Sequence, residues 1–156
     1  MKIAIGCDHG GFELKAPIVA LLQSQNHEVI DLGTDSEKSV DYPDYALSVG
    51  LAVIEGLAER GILLCGSGVG ASVAVNKIPG IRAGLCHDTF SAHQGKEDDD
   101  TNVLCLGARV IGVQLALDIV RTWLKANFSG AERHMRRLAK VAKIEHDFLQ
   151  QARVSK

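Results

Sequence analysis

Short runs of aliphatic and β-branched residues alternate along the chain with stretches whose apolar residues recur every three or four positions. The short runs predict strands at Lys2 to Gly6, His27 to Asp31, Gly61 to Cys65, Ile81 to Cys86 and Asn102 to Leu106. Gly61 to Cys65 is apolar without interruption, the pattern of a strand covered on both faces. The helical stretches are Phe12 to Gln23, Tyr42 to Glu59, Val69 to Lys77, a short one at Phe90 to Gly95, then Val113 to Asn127 and Glu132 to Gln151. In the second, Ala46, Val49, Val53 and Leu57 fall at helical spacing, and the third stops before Pro79. The acidic run Glu97 to Asp100 is too short for a tail and reads as a loop. Strand and helix in alternation predict a three-layer, Rossmann-like α/β domain over residues 1–156. It has a five-stranded, mostly parallel sheet and an extended C-terminal helix.

Such a sheet points to a ligand site before any side chain is weighed. Ligands bind beyond the carboxyl ends of parallel strands, where the strand order switches direction. The residues that follow the predicted strands are Cys7-Asp8-His9, Gly33-Thr34, Cys65-Gly66-Ser67, Cys86-His87-Asp88 and Gly107. Ionisable or nucleophilic groups therefore collect at one edge of the sheet.

Composition adds limits. The chain has 156 residues, 46% of them apolar and 23% charged, which suits one ordinary globular core. A net charge of −2 argues against a nucleic-acid footprint over the whole surface. The charge is uneven, however. From Gly130 to Lys156 there are seven Lys/Arg against three Asp/Glu, or +4, so the remainder carries −6. That basic segment is either a local anion site or a solvated helix face. The four cysteines, Cys7, Cys65, Cys86 and Cys105, form no C-x-x-C pair. Cys7, Cys86 and Cys105 lie in or beside apolar runs and read as inert core thiols. Reduced thiols and an N-terminus without a signal-peptide pattern predict a cytoplasmic protein. No apolar run approaches the ~20 residues of a membrane span.

The strongest local signal is Cys65-Gly66-Ser67-Gly68-Val69-Gly70-Ala71, which closes a buried strand and opens a helix. Glycines let a ligand approach the backbone, and consecutive N–H groups at a helix start make an anion hole. A dinucleotide reading is open, with Ala71 at the place of a third glycine, but this loop follows the third strand rather than the first. A tight turn with no ligand is the plainer alternative. A helix N-terminus lowers a thiol pKa, so Cys65 as thiolate can take a proton from a carbon beside a carbonyl. Otherwise it is a buried strand-end cysteine. Ser67 either donates to an oxyanion or caps the helix. Asp8 either caps the helix that follows or binds sugar hydroxyls, and His9 faces a phosphate or is a satisfied surface residue. Arg133 and Arg137, four apart, share a helix face suited to a phosphate, or else to solvent. Leu138, Val141, Glu145 and Phe148 form a separate, mostly apolar stripe.

Taken together, GCDHGGFELK, EVIDLGT, DYPDYA, ILLCGSGVGASVAVNKIPGIRAGLC, TNVLCLGARVIG and GAERHMRRL resemble, in that order, the ribose-5-phosphate isomerase B and galactose-6-phosphate isomerase subunit family. The resemblance implies aldose–ketose isomerisation of a phosphorylated sugar through a cis-enediolate, with no metal and no cofactor. It implies that Cys65 moves the proton between C1 and C2 and that Ser67 lies next to the reacting oxygens. Gly66, Gly68, Val69 and Gly70 would hold the enediolate. Asp8 and His9 would contact the sugar and its phosphate, and Arg109, Arg133 and Arg137 would contact substrate or phosphate. One branch of the family uses a Glu where this chain has Ala71, which places it with the cysteine branch. Members are dimers or tetramers whose sites draw residues from two subunits, so the Arg133–Arg137 pair would serve a neighbouring copy. No nucleic-acid or membrane partner is implied.

One position departs from the family. Where members commonly carry a His that helps open the cyclic sugar, followed by an Asn, this chain has Asp98 and Asp99. A carboxylate can accept a hydroxyl proton. Donating one to the ring oxygen requires that crowding by Glu97, Asp99 and Asp100 keep it protonated. Either Asp98 opens the ring, aided by His93, or the substrate needs no opening. A tetrose 4-phosphate has its O4 esterified and cannot close a furanose. The expected substrate is ribose 5-phosphate, with a tetrose 4-phosphate or hexose 6-phosphate as the alternative. A phosphosugar-binding protein without catalysis is the reading from another class.

Overall fold

The structure, a computed structural model, describes residues 1–154, and Lys156 of the basic segment lies outside them. Five parallel strands, β1 (Lys2–Cys7), β2 (Glu28–Asp31), β3 (Arg60–Cys65), β4 (Ala83–Leu85) and β5 (Val103–Gly107), form one sheet in the order β2-β1-β3-β5-β4. The helices are α1 (Phe12–Ser24), α2 (Tyr42–Ile54), α3 (Val69–Val75), α4 (Thr89–Asp99), α5 (Val113–Lys125) and α6 (Glu132–Val154). None among the described residues is long and apolar enough to cross a membrane.

Side chains alternate across each strand and so fill two separate cores. Ile3, Ile5, Ile62, Leu64, Leu104 and Leu106 face one way, onto Leu14 and Ile18 of α1, Ala92 of α4, and Ile119 and Trp123 of α5. Ala4, Leu63, Cys65, Val103 and Cys105 face the other, onto Ala46 and Val49 of α2 and Val75 of α3. The order reverses between β1 and β3: β1 leads outward to β2, whereas β3 opens the other half. Cys7 and Leu64 are register partners there. The segments after these two strands therefore meet at the switch point, where a ligand crevice belongs.

Several element ends differ from the periodicity. α2 stops at Ile54, not Glu59: Gly56 takes φ +74°, which ends the helix, and Leu57, though in helical phase, is exposed. β4 is shorter than Ile81 to Cys86. The acidic run is not a loop. Glu97, Asp98 and Asp99 form the last turn of α4, and Asp100 is its left-handed C-cap. The pairs His93–Glu97 (3.3 Å) and Lys96–Asp100 (2.5 Å), four residues apart, support a helix that composition disfavours. At the sheet edge, the Asn76 carboxamide accepts from Ala83 N–H (2.9 Å) and donates to Ala83 C=O (3.1 Å). It takes the place of a neighbouring strand.

Candidate active site

The ends of β1 and β3 are joined by close backbone contact. A Cβ at Gly11 would lie 2.2 Å from the Leu64 carbonyl carbon, and one at Gly10 would lie 2.9 Å from Gly66 N. Only glycine admits this approach, which explains the Gly10-Gly11 pair after Asp8-His9. Asp8, 6% exposed, turns into the junction. Its Oδ1 accepts Gly11 N–H (3.0 Å) and its Oδ2 accepts the Cys65 thiol proton (3.0 Å). Asp8 thus closes the turn that leads into α1, whose N-cap is Gly11 without a side-chain cap, and also partners the thiol.

That contact corrects the expectation for Cys65. Burial pushes its pKa up, and hydrogen bonding to the Asp8 carboxylate and that group's negative charge push it further. The N–H groups of Gly68 and Gly66 act in the opposite direction but are outweighed. The resting group is a thiol, not a thiolate. Cys7 and Cys86 are pushed up to about 11 and Cys105 further, each chiefly by burial, as inert core thiols should be.

The loop after Cys65 carries the expected backbone groups. Gly68 is the N-cap of α3 at φ +77°, so the glycine itself and not Ser67 occupies the cap position. The Ser67 Oγ accepts Val69 N–H at 3.3 Å, and the residue is otherwise exposed. Arg109, fixed by its N–H to Gly66 C=O (2.9 Å), lays its guanidinium over Gly66, with Nη1 3.3 Å from where a Cβ would stand. His9 Nδ1 accepts Val40 N–H (3.2 Å), so its proton sits on Nε2. His9, Gly10, Glu13, Glu37 and Arg109 line a cavity of about 360 Å³. Among the described residues no carboxylate pairs with Arg109.

Asp8, His9, Cys65, Gly66, Ser67, Gly68, Val69, Gly70 and Arg109 are thus gathered at the carboxyl edge of the sheet. The other candidates are not. Asp98 and Asp99 sit at the far end of α4, which has run back to the amino edge where β5 begins. Asp98 Oδ2 accepts from Gln94 Nε2 (3.2 Å), and Oδ1 lies 3.4 Å from Nδ1 of His134, which is 2% exposed and also bonded to Ser129 Oγ (2.7 Å). Asp99 borders a cavity of about 680 Å³ that includes Arg82 and Leu138 of α6. Arg133 and Arg137 flank His134 on the exposed side of α6. Of the carboxylates expected to crowd Asp98, Asp100 is engaged by Arg82 and Lys96.

Two residues at the carboxyl edge escaped the reading of motifs. The Tyr42 ring covers Gly70, where a Cβ would lie 2.8 Å from Cζ. The His87 Nε2 accepts Gly107 N–H (3.0 Å) beside the Ser67 carbonyl. The DYPDYA and Cys86-His87-Asp88 segments marked both places, without indicating that either side chain returns to the loop.

A buried thiol–carboxylate pair, a glycine loop opening a helix and a guanidinium with no paired carboxylate among the described residues meet at this edge of the sheet. Residues 3–141 match the Ribose/Galactose Isomerase family, and the chain belongs to it. Ribose-5-phosphate isomerase B of Escherichia coli is 51% identical over 144 residues, covering 92% of this chain and 96% of that one. The ribose-5-phosphate isomerase B structure from Clostridium thermocellum, also 51% identical, superposes with a TM-score of 0.93 over 95% of this chain and 99% of its own. A D-erythrulose-4-phosphate isomerase of Pectobacterium atrosepticum is 43% identical over 131 residues, 83% of this chain and 86% of that one. Sugar-phosphate isomerisation, an intramolecular oxidoreduction, is accordingly the activity of this fold and chain.

Proposed function

We propose that the chain interconverts ribose 5-phosphate and ribulose 5-phosphate, at sites completed by a second copy of itself. The observation that carries the mechanism is the 3.0 Å contact between the Cys65 thiol and Asp8. A thiol cannot abstract a proton until it has lost its own, and Asp8 Oδ2 is placed to receive it. The thiolate then takes the proton from C2 of the open-chain aldose. The C–H electron pair becomes the C1–C2 double bond, and the carbonyl pair moves to O1. N–H groups of Gly66 to Gly70 stabilise that oxyanion, an effect worth about 3 kcal/mol for one well-aimed donor. The O2 proton passes to O1 by way of Ser67 Oγ. Cys65 returns its proton to C1, leaving C2 as the ketone, and regains its own from Asp8. His9 and Arg109 hold the phosphate.

The arrangement of the remaining residues supports a shared site. One copy carries the thiol half at the carboxyl edge and the Asp98, Asp99, Arg133 and Arg137 half at the other. Leu47, Leu51 and Ile54 of α2 and Val69 and Val73 of α3 form an exposed apolar surface beside the thiol half. Val141, Ile144 and Phe148 are exposed on α6. A second copy covering these surfaces would bring an Arg133–Arg137 pair to Cys65. The test mixes Cys65→Ala with Arg137→Ala, each inactive alone. Heterodimers with one wild-type site should regain activity, and no recovery on subunit exchange would refute sharing. Turnover of ribose 5-phosphate in deuterated water, with label at C1 of the ketose and loss in Cys65→Ala, tests the chemistry.

A second reading, that the substrate is a tetrose 4-phosphate, is favoured by one feature. Asp98, which stands where the family commonly carries a ring-opening His, has one oxygen taken up by the Gln94 amide and the other beside the buried His134. The 43% identical relative named for D-erythrulose 4-phosphate is consistent with it. Erythrose 4-phosphate turnover well above that of ribose 5-phosphate would select this reading.

A further inference from the structure

The loop after β3 has one side toward the reacting groups and its back against the ends of β4 and β5. A Cβ at Gly68 would lie 2.6 Å from Leu85 Cδ1 and 3.0 Å from the Leu106 carbonyl carbon. One at Gly107 would lie 2.5 Å from the Ser67 carbonyl oxygen and 2.9 Å from His87 Nε2. Ser67, Gly107 and His87 therefore converge on one point. Gly107 is also the register partner of Cys65, and Ala108 N–H donates to Cys65 C=O at 2.9 Å. The position of Gly107 is thus felt at both ends of the Cys65–Gly68 segment.

The hydrogen bonding of Gly107 is irregular. Cys86 N–H donates to Cys105 C=O (3.2 Å), and a regular parallel ladder would next take Gly107 N–H to a carbonyl of the neighbouring chain. β4 has ended by then, and the His87 ring accepts that N–H instead, at 3.0 Å. A backbone N–H can only donate, so Nε2 must present its lone pair and the ring proton must reside on Nδ1. The imidazole replaces a strand carbonyl at the place where the catalytic loop is seated.

We propose that His87 is a positioning residue for the isomerisation: by holding Gly107 N–H it sets the platform under Ser67 and Gly68 and so aims the loop at the reacting carbons. The inference rests on the reading that this loop carries the chemistry. Displacements of about 1 Å in such a platform cost on the order of 100-fold in rate, and losses of outer contacts about 10- to 100-fold.

Three measurements test it. In wild-type protein labelled with ¹⁵N-histidine, the His87 resonances should report an unprotonated Nε2 and a protonated Nδ1. A proton on Nε2 would overturn the proposal without any assay of activity. His87→Leu, which removes the acceptor, should lower kcat about 10- to 100-fold with KM little changed. His87→Gln, whose amide oxygen is the same number of bonds from Cα as Nε2, should restore most of it. Wild-type kcat in His87→Leu, or no rescue by a folded His87→Gln, would refute the role. Should His87→Leu not fold, His87→Asn, polar but one bond too short, takes its place: low kcat is expected, and wild-type kcat overturns the idea. If the wild-type enzyme turned over no sugar phosphate, the reading of the loop would fail, while the tautomer measurement would still report the contact.

Discussion

Replacing Gly68 by Ala adds one methyl group to the loop proposed to carry the chemistry, and its cost follows from position. Gly68 lies at φ +77°, where an L-residue is strained by about 1–2 kcal/mol. Its Cβ would stand 2.6 Å from Leu85 Cδ1, and 3.0 and 3.1 Å from the carbonyl carbon and oxygen of Leu106. The leucine methyl can turn aside, but the β5 backbone cannot, and overpacking of this kind costs about 1–3 kcal/mol. The sum, about 2–5 kcal/mol, corresponds to a Tm lower by roughly 4–20 °C for a chain of this size. Because the loop must shift off β5 to relieve the clash, kcat should fall by on the order of 100-fold. Gly70→Ala is the control. Its φ is not left-handed, and the nearest atoms its Cβ would meet are those of the Tyr42 ring, a surface residue 38% exposed and able to swing away. That variant should melt within about 2 °C of wild type. Both should be followed by thermal unfolding at one protein concentration, since association makes Tm concentration-dependent. Ketose formation should be measured alongside. A Gly68→Ala protein with wild-type Tm and kcat would refute the packing argument, as would equal losses in the two variants.

Asp8→Asn should make Cys65 ionise at lower pH while slowing isomerisation. Gly11 N–H holds the amide oxygen, which turns the NH₂ toward the sulfur and removes the carboxylate charge; the pH dependence of iodoacetamide alkylation reads the first effect and kcat the second. A faster enzyme would show that Asp8 only suppresses the thiolate. Arg60 is buried and its guanidinium donates to the carbonyls of Trp123 (2.8 Å), Leu124 (3.3 Å) and Ala126 (3.0 Å) at the end of α5. Arg60→Leu strands these acceptors and should cost about 3 kcal/mol or more by denaturant titration, with Arg60→Lys intermediate. Asp88 caps α4, accepting Ser91 N–H (2.7 Å) and Ser91 Oγ–H (2.8 Å), and those bonds hold its carboxyl below the ordinary value. A depressed folded pKa gives stability that is complete above the unfolded value, roughly pH 4, and lost as pH falls through the folded one. The Tm difference between wild type and Asp88→Asn should therefore be constant near neutrality and shrink in acid; a gap independent of pH would rule out the carboxylate cap.

What could be read along the chain was local. The five strands and the helices between them were legible because periods of two and of three to four residues record which faces are buried, whatever packs on them. The glycine loop after Cys65 was legible because a strand, a turn and a helix start are contiguous. Reading failed where a distant partner or a single torsion decided the outcome. Leu57 keeps helical phase, yet Gly56 at φ +74° has already ended α2. The tract from Glu97 to Asp99 is polar enough for a loop, yet pairs four residues apart, such as His93–Glu97, carry α4 through it.

At the site the division is sharper. Sequence alone was enough to say that a thiol stands at the mouth of a glycine turn that opens a helix, since those residues are neighbours. That the thiol is held protonated follows first from its burial and then from Asp8, 57 residues earlier, and the two residues meet only because β1 and β3 lie side by side in the strand order. The separation of Arg133 and Arg137 from Cys65, and the return of His87 to β5, likewise follow from where helices run after leaving the sheet. A side chain's chemical type is written in the chain, but its protonation and partners are set by burial and by neighbours that only the assembled sheet supplies.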